Sequence, residues 1–335
     1  MRKHMKVAVI GSGAIGSLVA GYLATKDTPV TLVARKGQVA VLNKRGLILH
    51  GVRGKRGILL PVVSELRENV DLIIMAVKTQ DVIEAASHNL SFMKDCSILT
   101  MQNGIRADQF LSEIVPSENI ISSVVMFGAT YISPGEAIHN FEGDLIIGKA
   151  FGMNDDQVEA IAHLMNKAFT THISQDIKGM KWLKIFINLN NCLPALVGKS
   201  MQETFKNLEL CELSIRLLAE GLKVVDKAAI RLHSLPTFPE ERLRDLVSIP
   251  MDQGRSLFSQ IMTGLSKEPL YGSILQSIQR GRPSEIDYIN GEIVALGREI
   301  GIPTPLNKTV VEMVHQVEKT GIFFTSHEVL KKMKN

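Results

Sequence analysis

Cysteine is scarce in this chain: Cys96, Cys192 and Cys211 are odd in number, and none belongs to a CxxC pair. That usage excludes a disulfide framework and fits a reducing compartment. The nine histidines form no HExxH or HxxxH cluster, so no metal is expected. Aromatics are only 5% of the residues. With no aromatics interleaved among the basic residues and no helix-turn-helix or RNA-binding signature, a nucleic acid partner is not expected. No stretch approaches the ~20 apolar residues of a membrane span. Met1 to Met5 lacks the apolar segment of a signal peptide, and a cytoplasmic protein is expected.

What is present is the composition of a soluble globular protein, 45% hydrophobic and 21% charged with a net charge of +4. Its 335 residues suffice for two domains, each with its own core. The densest basic segment, Arg35 through Arg56, reads as a solvated, glycine-punctuated hairpin that modestly attracts anions.

The most informative segment is Lys6-Val-Ala-Val-Ile10 followed by Gly11-Ser-Gly13-Ala-Ile-Gly16. An apolar strand running into GxGxxG builds a pyrophosphate site. Gly11 allows the tight turn, Gly13 lets the backbone approach phosphates, and Gly16 lets the next helix pack closely with its amides facing the anion. Gly11, Ser12, Gly13, Ala14, Ile15 and Gly16 are therefore candidate cofactor residues. The bland alternative is a glycine-rich turn with no ligand. An NAD site needs a carboxylate ~20 residues past the glycines, but the second strand, Val30 to Ala34, runs into Arg35-Lys36. Arg35 offers a planar fork for a phosphate, which points to NADP(H) rather than NAD(H). The competing reading leaves both cations as solvated loop residues.

Further strands are expected at 47–49, 58–63, 71–77, 97–101 and 120–127, a hairpin from 137–141 with 145–147, a helix at 155–169 and a last strand at 170–174. The expected fold class is α/β, with a Rossmann-type domain over 6–176 and an all-helical domain over 177–335. Ligands of such sheets bind beyond the carboxyl ends of the strands, so Lys78 and Asn103 fall on the rim of the Gly11 loop. The helical half is expected to contain helices at 182–197, 208–229, 239–258, 271–279, 285–300 and 309–319.

On the first of these helices Lys184, Asn188 and Cys192 are spaced by four and share a face. Desolvation on so apolar a segment would lower the lysine pKa and suit it to protonating a carbonyl oxygen. A simple amphipathic helix with Lys184 in water is the alternative. Pro283 separates two helices, Ser284 can cap the second, and Glu285 then falls in its first turn.

These features together, GxGAxG, the lysine after the third apolar strand, Gln102-Asn-Gly104, Trp182-x-Lys184-x-x-x-Asn188, and Ser273-x-x-Gln276 followed by Glu285-Ile-Asp-Tyr-Ile-Asn-Gly291, resemble the ketopantoate reductase (2-dehydropantoate 2-reductase) family from Lys6 to about His315. The resemblance implies an NADPH-dependent reductase with its active site between a Rossmann and a helical domain. It implies that Lys184 is the catalytic lysine. Glu285 would be a catalytic carboxylate that meets the substrate hydroxyl near the cofactor. Asn103 would touch cofactor and substrate, Asn188 and Ser273 the substrate, and Lys78 and Ala129 the cofactor. The implied reaction reduces a 2-oxoacid, ketopantoate to pantoate, in pantothenate and coenzyme A synthesis. A homodimer is a candidate assembly.

Two substrate positions depart from the family. Where it carries asparagines four residues past Asn188 and ten beyond that, this chain has Cys192 and Gln202. Asn190 and Asn191 adjoin Cys192, yet a one-residue shift turns a helical side chain by ~100°, so neither is an obvious substitute. The alternatives are a related NADP-dependent hydroxyacid dehydrogenase with another substrate and a non-catalytic NADP(H) sensor.

Overall fold

The apolar run after Lys6 forms β1 (Val7–Ile10), all four residues buried, and in the computed structural model it is an interior strand of the larger of two sheets. Residues 5–266 and 268–333 are described. Met1 to His4, most of the segment read above for a signal peptide, lie outside them, as do Lys267 and the last two residues of the helical half. The chain divides between Lys181 and Trp182 into two compact units.

In the first unit β1 is followed by α1 (Ala14–Ala24), β2 (Val30–Val33), α2 (Lys36–Arg45), β3 (Leu47–Gly51), β4 (Arg56–Ile58), β5 (Val62–Val63), β6 (Leu72–Met75), α3 (Val82–Ser87), β7 (Ser97–Thr100) and α4 (Arg106–Ser112). Then come β8 (Ile120–Val125), β9 (Gly128–Ser133), β10 (Glu136–Phe141), β11 (Leu145–Lys149), α5 (Asp156–Met165) and β12 (Thr171–Ile173). The larger sheet has the order β12-β11-β8-β7-β6-β1-β2-β5, parallel except where β11 meets β8. Counted along the chain, its six strands from β5 to β8 lie in the doubly wound order of dinucleotide-binding sheets, and Val7 pairs with Val30 on one side and Leu72 on the other.

Alternation along the strands separates two cores. Val7, Val9, Leu32, Leu72 and Ile74 pack with Leu18 and Leu23 of α1, while Ala8, Ile10, Ile73 and Met75 pack with Val82 of α3 and Leu111 of α4. Burying each large aliphatic side chain contributes about 1.5–3 kcal/mol.

The second sheet, of order β4-β3-β10-β9, lies against α1: a Cβ on Gly21 would come within 2.8 Å of Leu49 Cδ1. Its existence corrects two expectations. The supposed hairpin is no hairpin, because β10 pairs with β9 and β3 whereas β11 joins the larger sheet. The basic segment after Arg35 begins with α2 rather than a hairpin, and only its second part supplies strands.

The division falls inside α6 (Ile177–Leu189). The second unit continues with α7 (Cys192–Val197), α8 (Met201–Thr204), α9 (Leu208–Lys227), α10 (Glu240–Ser248), α11 (Met251–Thr263), α12 (Ser273–Gln279), α13 (Asn290–Glu299), α14 (Pro305–Thr320) and α15 (Ser326–Lys332). Among its described residues it contains no strand, only one isolated bridge between Leu235 and Phe238. The long α9 is its spine. Asn207 caps it, Gly221 lets the Phe186 ring of α6 approach to 2.9 Å of where a Cβ would stand, and Glu220 accepts hydrogen bonds from the Leu306 and Asn307 amides at the start of α14.

Three expected helices are broken. The segment 182–197 is interrupted at Asn190-Asn191, and 239–258 stops before Pro250, which has no N–H to continue an intrahelical ladder. The segment 285–300 begins as the 3-10 turn Ile286–Tyr288 and becomes helical only after Ile289. No helix among the described residues is long and apolar enough to cross a membrane.

Candidate functional site

Three glycines of the loop after β1 differ in what holds them. Gly11 has φ +116°, and a Cβ there would lie 2.7 Å from the Ala76 carbonyl carbon just past β6. A Cβ on Gly16 would collide with the Gly11 carbonyl. Both are required by the fold. Gly13 has ordinary extended geometry and nothing within 4 Å of its Cβ position. It is the N-cap of α1 with no side-chain cap, and no acidic residue stands in the first turn. The first amides of α1 are thus left open beside an uncrowded backbone, which fits a dinucleotide pyrophosphate.

Ser12 is buried, and its hydroxyl donates to Gln38 Oε1 at 2.7 Å; Gln38 in turn donates to the Tyr131 hydroxyl at 3.2 Å. That chain ties the glycine loop to α2 and β9, leaving the Ser12 backbone rather than its side chain for a ligand. Ala14 and Ile15 are half-buried, and Ile15 packs on the core beneath the loop.

The parallel sheet puts Arg35, Lys78 and Asn103 past the carboxyl ends of β2, β6 and β7, the edge from which the glycine loop leaves β1. Gln102 fixes this rim by donating to the carbonyls of Met75 and Val77, each at 2.8 Å, and the Thr79 hydroxyl donates to the Asn103 carbonyl at 3.2 Å. Lys78 and Asn103 are half-buried. Arg35 is exposed and pairs with Asp81 at 3.4 Å. Reading outward from β2 alone missed Asp81, because it arrives from the turn after β6. Ala129 lies half-buried on β9, opposite His139 of β10, in the sheet the sequence reading did not anticipate.

In the helical unit Trp182, Leu183, Ile185, Phe186 and Leu189 of α6 are buried, whereas Lys184, Ile187 and Asn188 form its partly exposed stripe. Burial alone, with no neighbouring charge, lowers the Lys184 pKa from 10.5 to about 8. Glu285 is buried just before the turn Ile286–Tyr288. The expected cap is seen in a looser form, with the Ile286 amide donating to Ser284 Oγ at 3.3 Å. Ser273 is half-buried at the start of α12.

The break after Leu189 corrects the placement of Cys192 on the face of Lys184 and Asn188. Cys192 opens α7 fully buried, its thiol donates to the Leu189 carbonyl at 2.9 Å, and burial pushes its pKa up to about 12. Gln202 has its amide engaged with the backbone: Nε2 donates to Ser266 and Glu268 carbonyls, and Oε1 accepts from Leu270 N–H at 3.0 Å. It orders the segment leading into Gly272 and Ser273. The sequence reading also passed over the buried pair of Lys181 on α6 with Asp108 on α4. Lysines at 178, 181 and 184 look alike in the sequence, and only packing separates them.

The pattern that defines ketopantoate reductase PanE/ApbA matches residues 7–152, and that of its C-terminal part matches 176–318. A 2-dehydropantoate 2-reductase from Pyrococcus horikoshii is 28% identical over 319 residues, covering 95% of this chain and 99% of that protein. Another from Aquifex aeolicus is 26% identical, covering 94% and 97%. In fold the chain is similar to D-mandelate dehydrogenase in complex with NADH and anilino(oxo)acetate, with a TM-score of 0.82 at 24% identity over 94% of this chain and 99% of that one. A PanE/ApbA family ketopantoate reductase from Ralstonia eutropha gives 0.80 at 24% identity with the same coverage. Matched over both of its parts, the chain belongs to the ketopantoate reductase PanE/ApbA family and is an oxidoreductase that uses a nicotinamide dinucleotide.

Proposed function

We propose that the protein reduces a 2-oxoacid to a 2-hydroxy acid with NADPH, ketopantoate to pantoate being the favoured reaction, in the cytoplasm and in the service of pantothenate synthesis. The observation that carries this reading is Lys184, an ammonium on an apolar helix whose pKa is lowered by burial to about 8. A group so tuned delivers a proton near neutral pH far more readily than an ordinary lysine. The nicotinamide, when bound, supplies the hydride. As hydride reaches the carbonyl carbon, Lys184 gives its proton to the carbonyl oxygen, so that C=O becomes CH–OH, and the neutral amine regains a proton from solvent.

In this reading Glu285 meets the substrate hydroxyl and borders the cofactor. Asn103, Asn188 and Ser273 orient the acid, while the Gly11–Gly16 loop, Arg35, Lys78 and Ala129 hold NADP(H). Residues 6–176 serve the cofactor and 177–335 the substrate chemistry. A homodimer is proposed as the assembly, to be read from light scattering.

A second substrate within the same chemistry is favoured by one observation: neither Cys192 nor Gln202 has its polar group to spare. The deciding experiment is steady-state NADPH consumption with ketopantoate and a panel of branched and aryl 2-oxoacids. Ketopantoate should give the highest kcat/KM. Turnover confined to another acid would reassign the substrate, and no turnover with any of them would overturn the reductase reading and favour an NADP(H) sensor.

A further inference from the structure

Asn191 stands where the broken helix changes what its neighbours can do. Its N–H donates to the Asn188 carbonyl at 3.0 Å, three residues back rather than four. Such 3-10 tightening eclipses side chains three apart, which in a regular α-helix stand ~60° out of line. The Asn191 amide consequently reaches Asn188, Nδ2 donating to Oδ1 at 3.4 Å. Exposure follows the same line. Lys184, Ile187, Asn188 and Asn191 are all partly exposed, whereas Cys192 is fully buried.

Gly272 supplies an independent mark. Its φ of −64° and ψ of 158° suit any residue, so the backbone does not demand glycine there. A Cβ at 272 would instead stand 3.0 Å from Asn191 Oδ1 and 3.1 Å from its Cγ. The missing side chain makes room for the Asn191 amide immediately before Ser273. Asn191 Oδ1 accepts no hydrogen bond from the described residues, and as N-cap of α7 the side chain makes no capping bond.

We infer that Asn191, not Cys192, supplies the second substrate-facing amide of the helical unit, holding a polar oxygen of the 2-oxoacid beside Asn188 and Ser273. The inference rests on the 2-oxoacid reading above. Cys192 is then a core residue that seals the start of α7, and Gly272 a positioning residue acting through Asn191.

The test is a split of KM from kcat for the acid that wild type turns over best, with product binding to the enzyme–NADP⁺ complex measured by calorimetry. Asn191→Ala should raise KM and the product Kd by about tenfold, the loss of one hydrogen bond to a charged or strongly polar group, with kcat changed much less. Gly272→Ala should raise both in the same direction by displacing the amide. Cys192→Ala should leave both within about twofold while lowering the melting temperature, because it removes only a buried core group. Unchanged KM and Kd in Asn191→Ala, or a rise in Cys192→Ala equal to that in Asn191→Ala, would overturn the inference while leaving the reductase reading in place. A wild type inactive on all the acids overturns both.

Discussion

The Lys181 ammonium lies 2.8 Å from Asp108 Oδ2, with both side chains buried and the hydroxyls of Thr100 and Ser122 also donating to the carboxylate. One buried cluster thereby joins α4, β7 and β8 to the first turns of α6. A paired buried charge adds little net stability, but stranding one partner is costly. Asp108→Ala should therefore cost about 3–5 kcal/mol in urea unfolding. The double variant Asp108→Ala/Lys181→Met should recover a large part of that loss. A single variant within about 1 kcal/mol of wild type would show that water reaches the ammonium.

Lys184, three residues further on, should reveal itself in pH dependence. As general acid it acts when protonated, so kcat/KM for reduction should fall as pH rises through about 8. Oxidation of the hydroxy acid, which needs the neutral amine, should rise through the same value. Lys184→Ala should lose about 10²–10⁴-fold in kcat while still binding NADPH. Near-normal turnover in that variant would remove Lys184 from the chemistry.

The same shift has a thermodynamic sign. Between pH 8 and 10.5 the unfolded chain binds more protons at Lys184 than the native one, so stability rises with pH across that window. Below it the native state carries the full cost of a desolvated ammonium, on the order of 3 kcal/mol. Lys184→Met should accordingly unfold at higher urea than wild type near pH 7, with the advantage fading above pH 10.5. Equal midpoints at both pH values would mean the ammonium is solvated.

On the proposed reading Arg35 selects between the two nicotinamide coenzymes. Its pairing with Asp81 is exposed, so it is worth about 0–1 kcal/mol and gives way easily to a phosphate. Arg35→Ala should raise the KM for NADPH by roughly tenfold or more and leave NADH nearly unchanged. Equal binding of the two coenzymes by wild type would contradict the assignment.

The sequence announced those parts whose causes are local. β1, the glycine loop and the run into Arg35 are contiguous, and their residue types have few other uses. The second sheet stayed hidden because β10 pairs with the distant β3, a match that no short-range pattern encodes. The break at Asn190-Asn191 was legible in Pro194, the third residue of α7, whose missing N–H and ring cannot continue a helical ladder from the Asn190 carbonyl, and reading 182–197 as one helix overlooked it. Spacing put Lys184 and Asn188 on one partly exposed stripe of α6, as the structure has them, but beyond Asn188 the face rotates, so Cys192 turns into the core while Asn191 stays partly exposed.

The unequal footing of the loop glycines separates two kinds of selection acting on one hexapeptide. A screen that scores only abundance of folded protein, run in cells or lysate starved of the coenzyme, should reject alanine at Gly11 and Gly16 yet accept it at Gly13, where a methyl group meets open space. Growth selection that depends on turnover should reject alanine at all three. On that outcome position 13 is where the ligand, rather than the polypeptide, writes its requirement into the sequence, and a chain altered there persists as an intact fold without its chemistry.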